Sequence, residues 1–361
     1  MRGIPNVFKP KLPLPDSKFF DPANTWYIYD NTPLKQNLEK FAKFPIATGF
    51  HNNDPRLLLV TVDVQKGFSV LFDSYEKEDG RLRSEYGRYS TIKSDRDPAK
   101  GSPDEKSYEH IISYDDGITS DFVLASCSVP INYDYTRLEV EDHQLITGGE
   151  KAQILDRYSD ANTNRKNVEI KSKNLHYFWD GGLLANTPLR QAVIAHRNYW
   201  SKVRKLEQVP GLRVGIVNLH PIEQDYIPTD YDGVVDRKND IIYHERTEFD
   251  EFVAGMFSEY QELAKSLTSL AAINGASNDP IPEILNKKSK AMIYLTHEPF
   301  KYKDLTTAVV NVDYVIRLER KNDTSTIANK TFDFSISTIN QLIDDGYKEC
   351  REQLIQAFKN A

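Results

Sequence analysis

The chain has 361 residues, and 39% of them are hydrophobic, which is enough to bury a large core in one domain or two. Its 46 basic and 53 acidic residues are well mixed and leave a net charge of −7, which excludes the basic stripe of a nucleic-acid-binding surface. The two cysteines, Cys127 and Cys350, are too few for a disulfide scaffold and fit a reducing compartment.

The first 24 residues are rich in proline and show no periodicity, so we expect an extended segment there. No continuous apolar stretch follows the first charged residues, which argues against a signal peptide. No apolar run reaches the roughly 18 residues that a membrane span needs. We therefore expect a cytoplasmic protein whose contact with membranes is at most peripheral.

A helix and a hairpin are the first regular elements that the sequence predicts. Pro33 fits the first turn of a helix capped by Asn31 or Thr32, and apolar residues follow at helical spacing. Residues 57–64 and 68–72 are apolar runs separated by a Gln-Lys-Gly turn. This pattern predicts a hairpin of two largely buried strands.

Two polar segments flank the next apolar stretch. Residues 76–107 are dense in charged residues and serine and are predicted to form a solvated loop with little fixed structure. Residues 136–174 are also polar and are interpreted as an insertion. Between them, the sequence predicts a short buried helix that begins at Thr119 or Ser120 and stops before Pro130.

The second half of the chain alternates helices with short apolar strands. A helix is predicted over residues 188–205, and strands are predicted over residues 212–221 and 313–320. A long amphipathic helix carries one apolar stripe, formed by Phe249, Phe252, Val253, Met256, Tyr260, Leu263 and Leu267. A terminal helix is expected to point four apolar residues inward: Ile339, Leu342, Ile343 and Leu354. The alternation predicts a layered α/β fold.

The motif Asp180-Gly181-Gly182 is the strongest candidate for chemistry. As a bare tripeptide it is typical of a tight turn. It follows the aromatic run Tyr177-Phe178-Trp179, however, which places the carboxylate at the end of a buried strand, where the sites of α/β sheets lie. The glycines let another backbone approach closely, and the carboxylate could act as a general base toward a hydroxyl nucleophile.

A nucleophile to match this base is hard to find in the sequence. The segments around Gly67-Phe-Ser69 and Gly275-Ala-Ser277 lack the second glycine of the G-x-S-x-G elbow. Ser126 and Cys127 lie on the predicted buried helix, where an apolar setting makes a cysteine inert core. The histidines nearest to predicted elements, none of them in metal-ligand spacing, are interpreted as surface or packing residues: His51, His176, His196 and His220.

At these residues the sequence resembles the patatin-like phospholipases. The segments LASCSVPINYDY (124–135) and YFWDGGLLANTPLRQAV (177–193) are similar to the two C-terminal blocks of that family. YDNTPLKQNLEKF (29–41) and RLLLVTVDVQKGFSVLFDS (56–74) resemble the segments that precede those blocks, and FDFSISTINQLIDDGYKEC (332–350) resembles its C-terminal helix. The resemblance implies a three-layer α/β/α fold around a central, mostly parallel sheet.

The same resemblance implies a site and its limits. Asp180 would be the base of a Ser–Asp dyad that hydrolyses a lipid or another acyl ester without metal or cofactor, and Gly181 and Gly182 would complete its motif. The Gly-rich oxyanion loop and the serine elbow of the family have no counterpart, so we expect no nucleophile in this chain. Residues 1–193 would form the acyl hydrolase domain, truncated at its N-terminus, and residues 194–361 would pack on the same core.

Two interpretations of this gap remain open at the level of sequence. In the first, Met1 is an internal or misassigned start, or a separate chain carries the missing part of the enzyme. In the second, the protein is a non-catalytic relative that acts as a binding module or partner subunit. Both predict open sheet edges, and hence an isolated chain that is poorly soluble or oligomeric.

Overall fold

The computed structural model describes residues 8–10, 26–86, 89–92, 105–147, 167–224, 226–273, 281–287, 302, 310–320 and 335–360. In that part of the chain the helices are α1 (Thr32–Phe41), α2 (Ser120–Cys127), α3 (Gly182–Ala185), α4 (Leu189–Asn198), α5 (Tyr231–Tyr243), α6 (Glu248–Ile273), α7 (Ile281–Asn286) and α8 (Ile336–Asn360). The strands are β1 (Lys9–Pro10), β2 (Tyr29–Asp30), β3 (Leu58–Asp63), β4 (Phe68–Asp73), β5 (Glu85–Tyr86), β6 (Tyr89–Ile92), β7 (Glu105–Ile111), β8 (Thr136–Thr147), β9 (Asn167–Asp180), β10 (Leu212–Asn218) and β11 (Val312–Glu319).

Seven of these strands form one antiparallel sheet in the order β5-β4-β3-β9-β8-β7-β6. Backbone hydrogen bonds also join the segment before β5 to the segment after β7. Ser84 N donates to Ile112 O at 2.9 Å, and Tyr114 N donates to Leu82 O at 3.0 Å. The sheet therefore curves back on itself and is nearly closed.

The expected central, mostly parallel sheet of an α/β/α sandwich is wrong. Among the described residues, parallel strand pairing is confined to the small sheet of β10 and β11 and to a single bridge between Tyr29 and Tyr133. The prediction failed because alternation of helices and strands along a sequence does not show which strands pair. Adjacent strands joined by short or long hairpins pair antiparallel, and only distant crossover connections give parallel pairs.

Both polar segments that the sequence analysis placed outside the core contribute strands. Residues 76–107, expected to be a loop, contain β5, β6 and the start of β7. Residues 136–174, expected to be an insertion, contain all of β8 and the first part of β9, which pair over twelve successive positions from Thr136–Phe178 to Thr147–Asn167. An antiparallel sheet can leave one face in water, so its strands tolerate polar residues that a buried parallel strand does not.

The predicted hairpin and α2 are confirmed. Between β3 and β4, the backbone N–H groups of Gln65 and Lys66 donate to Asp63 Oδ1 at 2.9 and 3.1 Å, and Gly67 adopts a positive φ of 68°. Both features are typical of tight turns. Helix α2 begins at Ser120 as predicted, although its hydroxyl donates to Glu39 Oε1 at 2.9 Å instead of capping the helix.

The core lies on both faces of the β3–β4–β9 region. On one face, Phe72 and Phe178 are fully buried, and Phe72 stacks on Phe122 of α2 with ring centroids 4.5 Å apart. On the other face, Val60 and Leu71 pack against Ala195 of α4, and together they form a second buried cluster. Helices α2 and α4 thus cover opposite faces of the sheet at the end where β9 terminates.

Helices α6 and α8 present apolar side chains to solvent. On α8, Leu354 is half-buried, but Ile339, Leu342 and Ile343 are exposed, so their expected inward orientation is wrong. Gln353 lies on the same side of α8 about three turns beyond Leu342, and there it exchanges hydrogen bonds with the backbone of Glu319, so the contact with β11 lies beyond these three residues. In the described part of the chain, no helix combines the length and apolar character that crossing a membrane requires.

Candidate functional site

Asp180 is the last residue of β9, as the sequence predicted. Its backbone N–H donates to Ser128 O at 2.9 Å, which ties the strand end to the loop after α2. Its carboxylate Oδ1 accepts a hydrogen bond of 2.7 Å from Gly182 N. The carboxylate is therefore held in place by the first turn of α3 and is not a free surface group.

The two glycines of the motif are required for space rather than for backbone conformation. Gly181 has an ordinary helical φ of −64°, but a Cβ atom there would lie 2.3 Å from Val60 O. A Cβ on Gly182 would lie 3.0 Å from Asp180 Oδ1 and 3.2 Å from Asn186 Oδ1. The glycines thus let the chain turn tightly against β3, as the sequence analysis expected.

Burial dominates the electrostatics of the Asp180 carboxylate. It raises the pKa of Asp180 above the ordinary value, and the hydrogen bond from Gly182 N only partly opposes this effect. Of the two glycine amides, only that of Gly182 donates to the carboxylate, and this single hydrogen bond does not offset the effect of burial. A raised pKa brings the carboxyl group closer to the range in which it can take and release a proton near neutral pH.

Two further titratable side chains lie within electrostatic reach of Asp180. Burial and, as the smaller cause, the charge of Asp180 together raise the pKa of Cys127 to about 11. Burial also raises the pKa of Tyr243, and Asp180 again adds to the effect. Cys127 as a whole is nevertheless exposed to solvent, so the inert core position expected for it from the sequence is wrong. The site is thus a carboxylate flanked by a neutral thiol and a neutral phenol.

None of the neighbouring hydroxyl and thiol groups is an activated nucleophile. Ser126 Oγ donates to Val60 O at 2.9 Å and is committed to the backbone. The Cys127 thiol is protonated at neutral pH because its pKa is about 11. Thr61 is the cross-strand partner of Asp180 and its Oγ1 has no hydrogen-bond partner, but the residue is fully buried and out of reach of a substrate.

Alkylation of Cys127 tests this arrangement. Because the charge of Asp180 raises the thiol pKa, Asp180→Asn should speed the reaction with iodoacetamide at a pH of about 8, where alkylation rates follow the thiolate fraction. Mass spectrometry of the Cys127 peptide measures the rate, and labelling of Cys350 serves as an internal reference. The exposed Asp116→Asn is the matched control and should leave the rate unchanged. Equal rates in Asp180→Asn and wild type would contradict the proximity of the two groups.

The four histidines considered from sequence contact other groups and not the Asp180 carboxylate in the described structure. Burial lowers the pKa of His196, and its Nε2 lies 2.9 Å from Pro210 O. His51 Nε2 lies 2.7 Å from Arg204 Nη1. The ring centroid of His220 lies 5.6 Å from that of Tyr243. The segment around Gly275 lies outside the described residues, and Ser69 lies within β4.

A network of acidic and histidine side chains lies inside the curved sheet, and no sequence pattern predicted it. Asp63 Oδ2 lies 2.6 Å from His176 Nδ1, and Asp142 Oδ1 lies 2.6 Å from His110 Nδ1. His176 Nε2 and Asp142 Oδ2 are 3.5 Å apart and join the two pairs. His176 is therefore a buried residue that lies between two carboxylates. In the sequence, the sign of such a network is a polar residue at a strand position that faces inward. Only the strand register shows which positions face inward.

Two cavities flank the strand end, and both are lined by Asn186 and Thr187. One of about 240 Å³ opens beside Gly182, and one of about 510 Å³ lies between α4 and β10. Across the described ranges, no group of three or more histidine, cysteine or acidic side chains is placed to hold a metal ion. Comparisons with protein-family models, with curated proteins and with solved structures found no match.

Proposed function

We propose that this chain supplies the general base of a lipid acyl hydrolase, which cleaves a phospholipid-type or other acyl ester through a serine–aspartate pair. The observation that supports this best is the Asp180 carboxylate, which is oriented by Gly182 N and carries a raised pKa at a strand end. The similarity of its D-G-G block to that of the patatin-like phospholipases points to the same chemistry. The fold of those enzymes is not part of the proposal.

The serine in this proposal comes from a polypeptide outside the sequence described here. Its hydroxyl proton passes to Asp180 as the oxygen attacks the ester carbonyl, and the proton then passes to the leaving alcohol. Water releases the acyl group from the serine in a second step with the same base. Ser126 and Cys127 do not serve as the nucleophile, for the reasons of hydrogen bonding and pKa given above.

We propose that the protein acts in the cytosol and makes peripheral contact with the membrane that holds the lipid substrate. The free thiols of Cys127 and Cys350 support a reducing compartment. Nucleic acid is not a proposed partner, because the acidic and basic residues are interspersed and the net charge is −7.

Labelling with a fluorophosphonate probe, which modifies activated serine hydroxyls, tests the proposal. The chain, tagged and purified alone, is expected to remain unlabelled and to leave p-nitrophenyl butyrate uncleaved. The same tagged chain recovered from its source cells is expected to bring down a polypeptide that carries the label together with esterase activity. Labelling of this chain itself, or a complex without labelled serine, would overturn the proposal.

A non-catalytic role as a partner subunit is the second candidate. Long apolar faces on α6 and α8 remain exposed, which is typical of surfaces that bind another protein. This candidate predicts a stable complex in which no serine reacts with the probe. The labelling experiment therefore separates the two functions directly.

A further inference from the structure

Seven large apolar side chains form a stripe along the outer face of α6. They are between 37% and 67% exposed, and they are Phe249, Phe252, Met256, Tyr260, Leu263, Leu267 and Leu270. The opposite face of the helix packs on the body of the protein, where Gln261 is buried and Glu251 binds Arg317 Nη2 at 2.5 Å. Among the residues that the structure describes, the stripe is therefore left uncovered, on a helix whose opposite face is anchored.

The spacing of the stripe indicates what kind of partner fits it. Successive members are three or four residues apart along 26 residues of helix. This is the repeat of a seam between two helices, in which each apolar side chain enters a hole on the facing helix. The partner surface is therefore another helix with an apolar seam.

Six of the seven members, all except Tyr260, are placed symmetrically about a point between residues 259 and 260. When two copies of α6 lie antiparallel, Phe249 faces Leu270 of the second copy, Phe252 faces Leu267, and Met256 faces Leu263. Tyr260 then lies next to the two-fold axis. A surface that complements itself in this way is what a symmetric homodimer requires.

The charges on α6 favour the same antiparallel arrangement. Its first turn carries Glu248, Asp250 and Glu251, whereas residues 266–273 contain no acid. Parallel pairing would place the two acidic turns side by side, and like charges at that distance repel. Antiparallel pairing places each acidic turn against an uncharged end. The five acids of this helix also disfavour an anionic membrane as the cover.

We propose that α6 forms an antiparallel helix pair with α6 of a second copy of this chain, so that the protein is a symmetric dimer. The inference is independent of the proposed catalytic role, since it rests only on the α6 stripe. Self-association was expected from open sheet edges, but the strand in question, β3, is paired on both sides with β4 and β9, so the α6 stripe is a different site for it.

Sedimentation equilibrium on the full chain tests the dimer. The wild type is expected at twice the chain mass of 41.5 kDa. The double variant Met256→Glu/Leu263→Glu should weaken association by about 100-fold or more, because it buries charge in the seam. A matched pair on the exposed face of α8, Ile343→Glu/Tyr347→Glu, should leave the dimer intact. Circular dichroism checks that both variants stay folded.

Cross-linking decides the orientation, in a background with Cys127 and Cys350 replaced by serine. Tyr260→Cys is expected to form a covalent dimer with a short bismaleimide, because it lies at the axis. Phe249→Cys should not link to its own copy, because the two sites lie roughly 30 Å apart at 1.5 Å per residue.

Three results would overturn the proposal. The first is a folded wild-type monomer, including one that instead binds zwitterionic lipid vesicles through α6. The second is a dimer that the α8 variant dissociates and the α6 variant does not. The third is efficient linking of Phe249→Cys to its own copy, which would show a parallel pair.

Discussion

Asparagine in place of Asp180 is expected to lower ester hydrolysis by the complex recovered from source cells about 10²–10⁴-fold, with KM little changed. Asparagine keeps the shape of the side chain and can still accept the hydrogen bond from Gly182 N, but it cannot take a proton. The loss is the usual contribution of a positioned general base. Initial rates with p-nitrophenyl butyrate over a range of substrate concentrations separate kcat from KM.

The control for this prediction is a carboxylate that lies at the surface. Asp116→Asn removes an exposed acid and should leave the rate unchanged. The Asp180→Asn chain should also bring down the same partner, which shows that the complex has formed. Near-normal turnover by a folded Asp180→Asn complex would favour the tight-turn interpretation of this motif and remove Asp180 from the chemistry.

Asparagine in place of Asp73 is expected to reduce the free energy of unfolding by about 3–5 kcal/mol. Asp73 is fully buried, and its carboxylate binds Arg56 Nε at 2.9 Å and Lys77 Nζ at 2.9 Å. A neutral side chain would leave these two cations, both largely buried, without their shared anion. Urea denaturation measures the effect. Asp115→Asn breaks an exposed pair with Arg81 and is the control, with an expected cost below about 1 kcal/mol.

The Asp73 carboxylate also makes the stability of the protein depend on pH in the acidic range. Burial acts to raise the pKa of Asp73, but Arg56, Lys77 and the Tyr75 N–H together outweigh it and lower the pKa below its ordinary value of 3.8. A lowered folded-state pKa gives stability that is present above the unfolded value and is lost as the pH falls through the folded one. Urea midpoints should therefore fall below a pH of about 4. An unchanged pH dependence in Asp73→Asn would contradict this assignment.

Local elements of this protein follow from its sequence. The β3–β4 hairpin follows from two apolar runs and a Gln-Lys-Gly turn, and the structure confirms it through the Asp63 hydrogen bonds and the positive φ of Gly67. The end of β9 at Asp180 follows from an aromatic run that meets two glycines. These signals depend on residues within a few positions of each other, so no knowledge of distant contacts is needed.

Strand pairing was decided only by the tertiary structure. Periodicity along the sequence does not carry strand order, so β5, β6, β8, the start of β7 and the first part of β9 were interpreted as loop and insertion although they build much of the antiparallel sheet. The sequence likewise did not decide whether the apolar faces of the helices point to the core or to solvent. Ile339 and Ile343 have inward-type spacing, yet they are exposed, because α8 contacts β11 further along the helix, at Gln353.

Of the candidate site, too, one part could be predicted from the sequence and another part only from the tertiary structure. The sequence identified Asp180 and its glycines, because a carboxylate, a turn and a strand end are neighbours along the chain. The neighbours that determine its chemistry come from elsewhere: Cys127 from the end of α2, Tyr243 from the end of α5, and the Val60 carbonyl from β3. Burial by these distant segments raises the pKa of Asp180. Only the folded chain could decide that value, because desolvation depends on which surfaces pack together and not on their order in the sequence.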